Sequence, residues 1–168
     1  MKSVKCLTNE LLETVAQQAE TSPRLRQNYN FHGLSERVQR LLNALQPGTY
    51  VRPHQHLRAA SANGFEFFLV IQGEVGILLF NEQAEIIHQE RLRAEGPIRG
   101  IELAEGQYHT LVALAPDTVI LELKEGPYDP NTDKEFLTAF PEEGIPEARA
   151  LVETWQHRFR EPKNSQQL

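Results

Sequence analysis

His54 and His56 stand one residue apart at the end of the run Gly48-Thr-Tyr-Val-Arg-Pro-His-Gln-His56, and Glu66, Gly73 and His109 follow. The run reads as a strand. Strand side chains alternate between faces, so both imidazoles would point the same way. With Glu66 and His109 they could supply four ligands to one divalent metal. Neutral imidazole and carboxylate suit Fe, Mn, Ni, Cu or Zn, and the set offers no sulfur. Single members have plainer explanations. A His-x-His pair in a strand is often incidental, and His109, at the head of an apolar strand, could be a satisfied core histidine. Glu66 is harder to explain away. It sits inside Gly64-Phe-Glu-Phe-Phe-Leu-Val70, where a buried, unpaired carboxylate is costly and calls for a cation or a proton.

Neighbouring residues are candidates for substrate contact. Period two places Tyr50 and Arg52 on the face of the histidines. Arg52 could hold an anionic substrate or tether Glu66. Asn30 and His32 could line the pocket if the N-terminal arm folds over its mouth. Tyr108 should face the other way and pack. Lys124, ending a strand, reads as solvated, and Tyr128 and Asp129 as fixing a turn or a dimer contact. His88 and His157 have no partner that the sequence identifies. No general base is evident outside the metal set.

The elements that must position these groups are mostly short strands. Segments 38–45, 65–72, 76–80, 86–92, 98–103, 109–114 and 118–124 are rich in strand formers and are separated by Pro-Gly, Asn-Gly, Glu-Gly and Pro-Asp turn signals. No helical crossover fits between them, which predicts a β-sandwich or barrel and excludes a parallel α/β sheet. A helix is predicted over 8–21, with Leu11, Leu12, Val15, Ala16 and Ala19 on one face, Thr8 as N-cap and Leu7 stapled against Leu12. Residues 126–146 read as loop. A last helix runs from Pro146 to about Arg160, with Ala148, Leu151, Val152, Trp155 and Phe159 forming a stripe that covers the body of the protein or a second subunit. The expected organisation is an N-terminal helix and arm (1–34), a barrel (35–125), and a C-terminal loop and helix packed on the same domain (126–168).

Composition limits the function classes. At 168 residues, 40% hydrophobic and 24% charged, the chain is one ordinary globular domain. A net charge of -6 with scattered basic residues argues against a nucleic-acid binder. The single cysteine, Cys6, rules out an intrachain disulfide and fits a reducing compartment. No apolar run approaches the roughly 18 residues of a membrane span, and residues 1–20 are amphipathic and acidic, so the predicted location is cytoplasmic.

The run Gly48-x5-His54-x-His56 … Glu66-x6-Gly73 resembles the first motif of the cupins, small jelly-roll (RmlC-like) barrels that hold a metal inside one end, and Gly106-Gln-Tyr-His109 resembles their second. Pro23-Arg-Leu-Arg26, Asn30-Phe-His32, 38–45, Pro47 to His54, His109-Thr-Leu-Val112 and above all Lys124-Glu-Gly-Pro-Tyr-Asp-Pro-Asn-Thr-Asp-Lys134 are similar to the WbuC family of cupin-fold metalloproteins. That similarity covers about residues 8–144. It implies that His54, His56, Glu66 and His109 are the metal ligands. The chain departs from the pattern in having nine residues, Leu57 to Phe65, between His56 and Glu66 where the family has three or four. These read as a longer loop at the barrel mouth. Ala104 replaces a usual proline and Ala113 a common asparagine.

The fold expected is therefore mainly β: a single jelly-roll barrel with a helix at each end. The resemblance implies one divalent transition metal (Fe, Mn, Ni or Zn) and a role in surface-polysaccharide biosynthesis, which directs attention to a sugar or nucleotide sugar. Three readings compete: an isomerase, epimerase, lyase or Fe(II) dioxygenase acting on a small polar substrate; a non-catalytic carbohydrate or small-molecule binding or regulatory module; and a barrel stapled by its metal. A homodimer is expected from the family habit of pairing barrels.

Overall fold

The computed structural model describes residues 4–58 and 63–160. The middle of the loop between His56 and Glu66 and the polar tail Lys163–Gln167 lie outside the described residues. Helix α1 (Asn9–Thr21) opens the chain, with the Thr8 side chain accepting from the Leu11 backbone N–H at its N-cap. Ten strands follow: β1 (Arg26–Asn30), β2 (Val38–Leu45), β3 (His54–Gln55), β4 (Glu66–Gln72), β5 (Glu74–Phe80), β6 (Ile86–Arg93), β7 (Gly100–Leu103), β8 (Tyr108–Ala113), β9 (Thr118–Glu125) and β10 (Glu135–Phe136). Helix α2 (Pro146–Arg160) ends the described chain.

The strands form two antiparallel five-stranded sheets, ordered β1-β2-β9-β4-β7 and β10-β3-β8-β5-β6. Strand parity decides which residues fill the space between them. Leu45, Phe68, Val70 and Ile120 from the first sheet meet Val75, Ile77, Leu92, Leu111 and Ala113 from the second. The opposite parity faces outward and is covered. Leu42, Ala44 and Val119 lie under Leu12, Val15 and Ala19 of α1. Leu78, Phe80 and Val112 lie under Ala148, Val152, Trp155 and Phe159 of α2. The α2 stripe therefore covers its own barrel, so it does not offer the dimer contact that the sequence left open. This is the jelly-roll architecture expected, with strands that no α/β pattern could explain.

Turns set the register. Gly73, between β4 and β5, has φ +76, and a Cβ there would stand 2.5 Å from Thr118 Oγ1, so only glycine fits. Two strands go beyond the sequence expectation, β1 and β10, and the strand read over the run from Gly48 to His56 is confined to β3. β1, Arg-Gln-Asn-Tyr-Asn, lacks an apolar face because one side of it borders a polar cavity, yet it pairs with β2 from Arg26↔Leu45 to Asn30↔Leu41. β10 lies within the stretch predicted as loop, and Glu135↔Gln55 and Phe136↔His54 dock it on β3.

The α2 seat yields a stability prediction. At Gly76 an added Cβ would stand 2.4 Å from the Phe159 ring, so the helix approaches β5 only because that side chain is missing. Gly76→Ala should destabilise the protein by about 1–3 kcal/mol through overpacking. Urea unfolding measures it; an unchanged midpoint would show that Phe159 has room to move.

Candidate metal centre and its cavity

Pairing brings the histidines together. β3 joins β8 through His54↔His109, and His56 follows at the strand end, with its carbonyl accepting from the Gly106 N–H at 3.1 Å. Glu66 begins β4 in the facing sheet, in phase with Phe68 and Val70, so its carboxylate points inward. All four residues are at least 96% buried. One ligand atom from each of His54, His56 and His109 lies within 4.8 Å of the others, and Glu66 meets two of these rings.

The tautomers follow from the hydrogen bonds. Nδ1 of His54 lies 2.8 Å from the Arg52 carbonyl, Nδ1 of His109 lies 2.9 Å from the Gln107 carbonyl, and Nδ1 of His56 binds the Asp133 carbonyl. A carbonyl only accepts, so each Nδ1 carries the hydrogen and each Nε2 is left with a lone pair. Glu66 Oε1 stands 3.1 Å from His56 Nε2, and Oε2 stands 3.2 Å from His109 Nε2. Despite its proximity to Glu66, His56 Nε2 is buried without a hydrogen-bond partner. Lone pair faces lone pair, which is unfavourable unless a cation lies among them. About 3 Å is also the edge of an octahedron whose bonds are about 2.1 Å. These residues fit a small divalent metal.

The electrostatics agree. Burial pushes the His54 imidazole well below its ordinary range, helped by Lys134, His109 and His56. Burial also lowers His109, against the pull of Glu66. For Glu66 burial works upward, but His109, His56 and Lys124 outweigh it and bring the carboxyl to about 2. The imidazole part of that effect acts only while those rings hold an extra proton; Lys124 is the lasting cation. Two neutral imidazoles beside a carboxylate form a donor set ready for a metal.

Lys124 is not solvated, as its place near a strand end had implied. It is 6% exposed and holds Glu122 Oε1 at 3.1 Å and Asp133 Oδ2 at 3.3 Å. Asn43 donates to the other Glu122 oxygen, Arg58 reaches Asp133 Oδ1 at 2.9 Å, and Asp133 Oδ2 lies 3.6 Å from His56 Nδ1. Sequence reading missed Glu122, Asn43 and Asp133. A signal existed for two of them: Glu122 and Lys124 share the parity of the core residue Ile120, and Asn43 pairs with Ile120 on β2. A short polar alternation at a strand end simply looks like an exit to solvent.

Above the histidines opens a cavity of about 860 Å³. Asn30, His32 and Arg52 line it, as do Lys124 and Lys134. His32 is 7% exposed, with Nδ1 accepting from the Arg40 N–H at 2.9 Å. Arg52 makes no ion pair with Glu66 among the described residues. Tyr50 is placed elsewhere: it stacks on Trp155 at 5.9 Å under α2, and its hydroxyl donates to the Pro141 carbonyl at 2.8 Å. Residues 49–53 are not a strand, so alternation does not carry back from His54. Tyr108 packs in the same cluster as Tyr50, and Asp129 caps its own turn by accepting from the Asn131 N–H at 2.9 Å.

The family described as a domain of unknown function, DUF6016, matches residues 7–92. No curated protein matches the chain. Among solved structures, the capsular polysaccharide assembling protein CapF from Staphylococcus aureus superposes with a TM-score of 0.53 at 21% identity, over 65% of this chain and 28% of CapF. The chain thus spans under a third of CapF. A conserved protein of unknown function from Streptococcus pyogenes gives a TM-score of 0.52 at 13% identity, over 77% of this chain and 93% of that one. The DMSP lyase DddQ from Ruegeria pomeroyi gives 0.51 at 20% identity, over 70% and 54%. The likeness is one of fold, a jelly roll.

Proposed function

We propose that this chain, which belongs to the family described as a domain of unknown function (DUF6016), is a metalloprotein that holds one divalent transition metal through His54, His56, Glu66 and His109 and uses it on a small polar substrate. The observation that carries this reading is the convergence of three Nε2 lone pairs and a carboxylate at the base of a polar cavity, with His56 Nε2 buried and unpartnered. A bound metal supplies Lewis-acid polarisation of a carbonyl or hydroxyl for isomerase, epimerase or lyase chemistry or, as Fe(II), oxygen chemistry.

The protein's own groups account for the rest. The Nδ1 bonds to Arg52, Gln107 and Asp133 fix the ring orientations before anything binds. Gln27, Asn28, Asn30 and Asn43 line the cavity with amides, which donate and accept and so suit hydroxyl groups. A sugar or nucleotide sugar is therefore the substrate class, in line with the resemblance to the WbuC family and with CapF, named for capsular polysaccharide assembly. Glu122, oriented by Lys124 and Asn43, is the carboxylate on the cavity wall that we assign to accept a proton. A homodimer would pair through barrel edges, where Ile87 and Ile98 are exposed, since the α2 stripe is covered.

Elemental analysis of protein purified without a metal-affinity tag tests the centre. We expect about one Fe, Mn, Ni or Zn per wild-type chain and at least tenfold weaker retention in Glu66→Ala. Stoichiometric metal in a His54→Ala, His56→Ala double variant would sink the assignment. A wild type that takes up no metal would leave a non-catalytic carbohydrate or small-molecule binding module.

A further inference from the structure

Most charged groups on the cavity wall have partners. Arg24 and Arg26 both hold Glu143, at 2.8 and 2.6 Å. Lys124 holds Glu122 and Asp133, and Glu66 faces His56 and His109. Arg52 and Lys134 are left. Neither side chain makes a hydrogen bond or ion pair with any described residue. The Arg52 Nε is buried without a partner, and its guanidinium carbon lies 5.1 Å from the centre of the Phe136 ring. Glu142, the acid left over on the wall, is exposed.

The two cations share one stretch of wall. Phe136 pairs with His54 across β10 and β3, and its ring centre is 6.1 Å from that of His54. Continuing the antiparallel register to residue 134 sets Lys134 opposite His56, in phase with Phe136. Arg52 lies over the same phenyl ring. Lys134 reaches solvent through the cavity, yet crowding by the wall and the charge of Lys124 lower its ammonium. Its own charge in turn helps hold the His54 imidazole down. Two cationic side chains on one cavity wall, neither in ion-pair contact with a carboxylate, carry a cost that an anion would relieve.

We propose that Arg52 and Lys134 form an oxyanion subsite beside the metal centre, and that the ligand of this cavity is a polyhydroxylated molecule bearing a carboxylate or a phosphate group. The inference deepens the proposed function and rests on it: the metal meets one end of the ligand, the amides of Gln27, Asn28 and Asn30 take hydroxyls, and the two cations take the charged group. A guanidinium binds either anion through its planar fork, and the ammonium adds a point charge.

Calorimetric titration of metal-reconstituted protein with D-gluconate, D-glucose 6-phosphate and uncharged D-glucitol tests this. Wild type should bind one of the anions at least tenfold more tightly than glucitol, with an affinity that falls as salt rises. The stronger of the two identifies the group as carboxylate or phosphate. An Arg52→Gln, Lys134→Gln double variant should lose the preference, and Lys134→Arg should keep most of it. Equal binding of glucitol, no binding of either anion, or a preference that survives in the double variant would overturn the subsite. Metal content is measured on the same samples. A double variant with full metal and unchanged anion preference refutes the subsite alone. A wild type that takes up no metal refutes the metal centre, and the anion preference is then read on the metal-free protein.

Discussion

His56→Ala is expected to lower metal affinity by more than about 100-fold, beyond the effect of removing an outer partner of a ligand. The reason is local. His56 presents the buried Nε2 that has no hydrogen-bond partner, 3.1 Å from Glu66 Oε1, and no other described donor can take its place. Metal-free stability should fall by no more than about 2 kcal/mol, because the variant loses one hydrogen bond to the Asp133 carbonyl while relieving the opposed lone pairs. Wild type should gain roughly 2.7 kcal/mol at a metal concentration 100 times Kd, and the variant almost nothing. Thermal melts with and without metal measure both terms. A variant that melts with the same metal-dependent shift would refute His56 as a ligand.

Acid should act on the same centre. His54 and His109 are held below their ordinary values by burial, so the unfolded chain binds protons that the folded one resists. Their contribution to metal-free stability is present above the unfolded value of about 6.5 and is lost as pH falls below it. Glu66, down at about 2, adds a loss of the same sign once pH drops below about 4.3. Bound metal delays both losses.

Lys124→Met should destabilise the protein by about 3–5 kcal/mol at pH 7, since it leaves Glu122 and Asp133 buried without their shared cation. Methionine keeps the packing of the stem, so the loss reports charge. Neighbouring carboxylates raise the folded Lys124 ammonium, and that stabilisation is complete below the unfolded value of about 10.4 and lost as pH rises past the folded one. Asp133 moves the other way. Burial tends to raise it, but Lys124, His56 and Arg58 bring it down, so its contribution is present above about 3.9 and lost as pH falls further. Without Lys124, burial gains weight at Asp133, and the onset of acid unfolding should shift to higher pH. Urea midpoints between pH 4 and 8 measure this, and adding Glu122→Gln should recover part of the loss. A single variant within 1 kcal/mol of wild type at pH 7 would mean that water, not protein, satisfies these carboxylates.

Local chemistry made much of this legible in advance. β2 needed only its own run of strand formers, α1 only its cap and stripe, and α2 only Pro146 and the spacing of Ala148, Val152, Trp155 and Phe159. Inward parity set Glu66 beside Phe68 and Val70. The same alternation failed at Tyr50, because the backbone leaves the strand conformation before His54. It was not applied to Glu122 and Lys124, whose phase with Ile120 carries them into the cavity wall. β10 was illegible for another reason: two residues, Glu135 and Phe136, are too short a run to signal a strand, and their pairing with β3 is a tertiary contact.

The sequence by itself determined the strand-rich barrel, the two terminal helices and the candidate ligand types, because hydrophobic period, turn residues and donor chemistry are local properties. The tertiary structure alone decided which polar groups meet. Register set His54 against His109, opposed the sheets so that Glu66 reaches Nε2 of His56 and of His109, and brought Lys124, Asp133 and Lys134 to one cavity. Such contacts join residues far apart in the chain, 77 positions for His56 and Asp133, and no local pattern encodes a distance across the barrel.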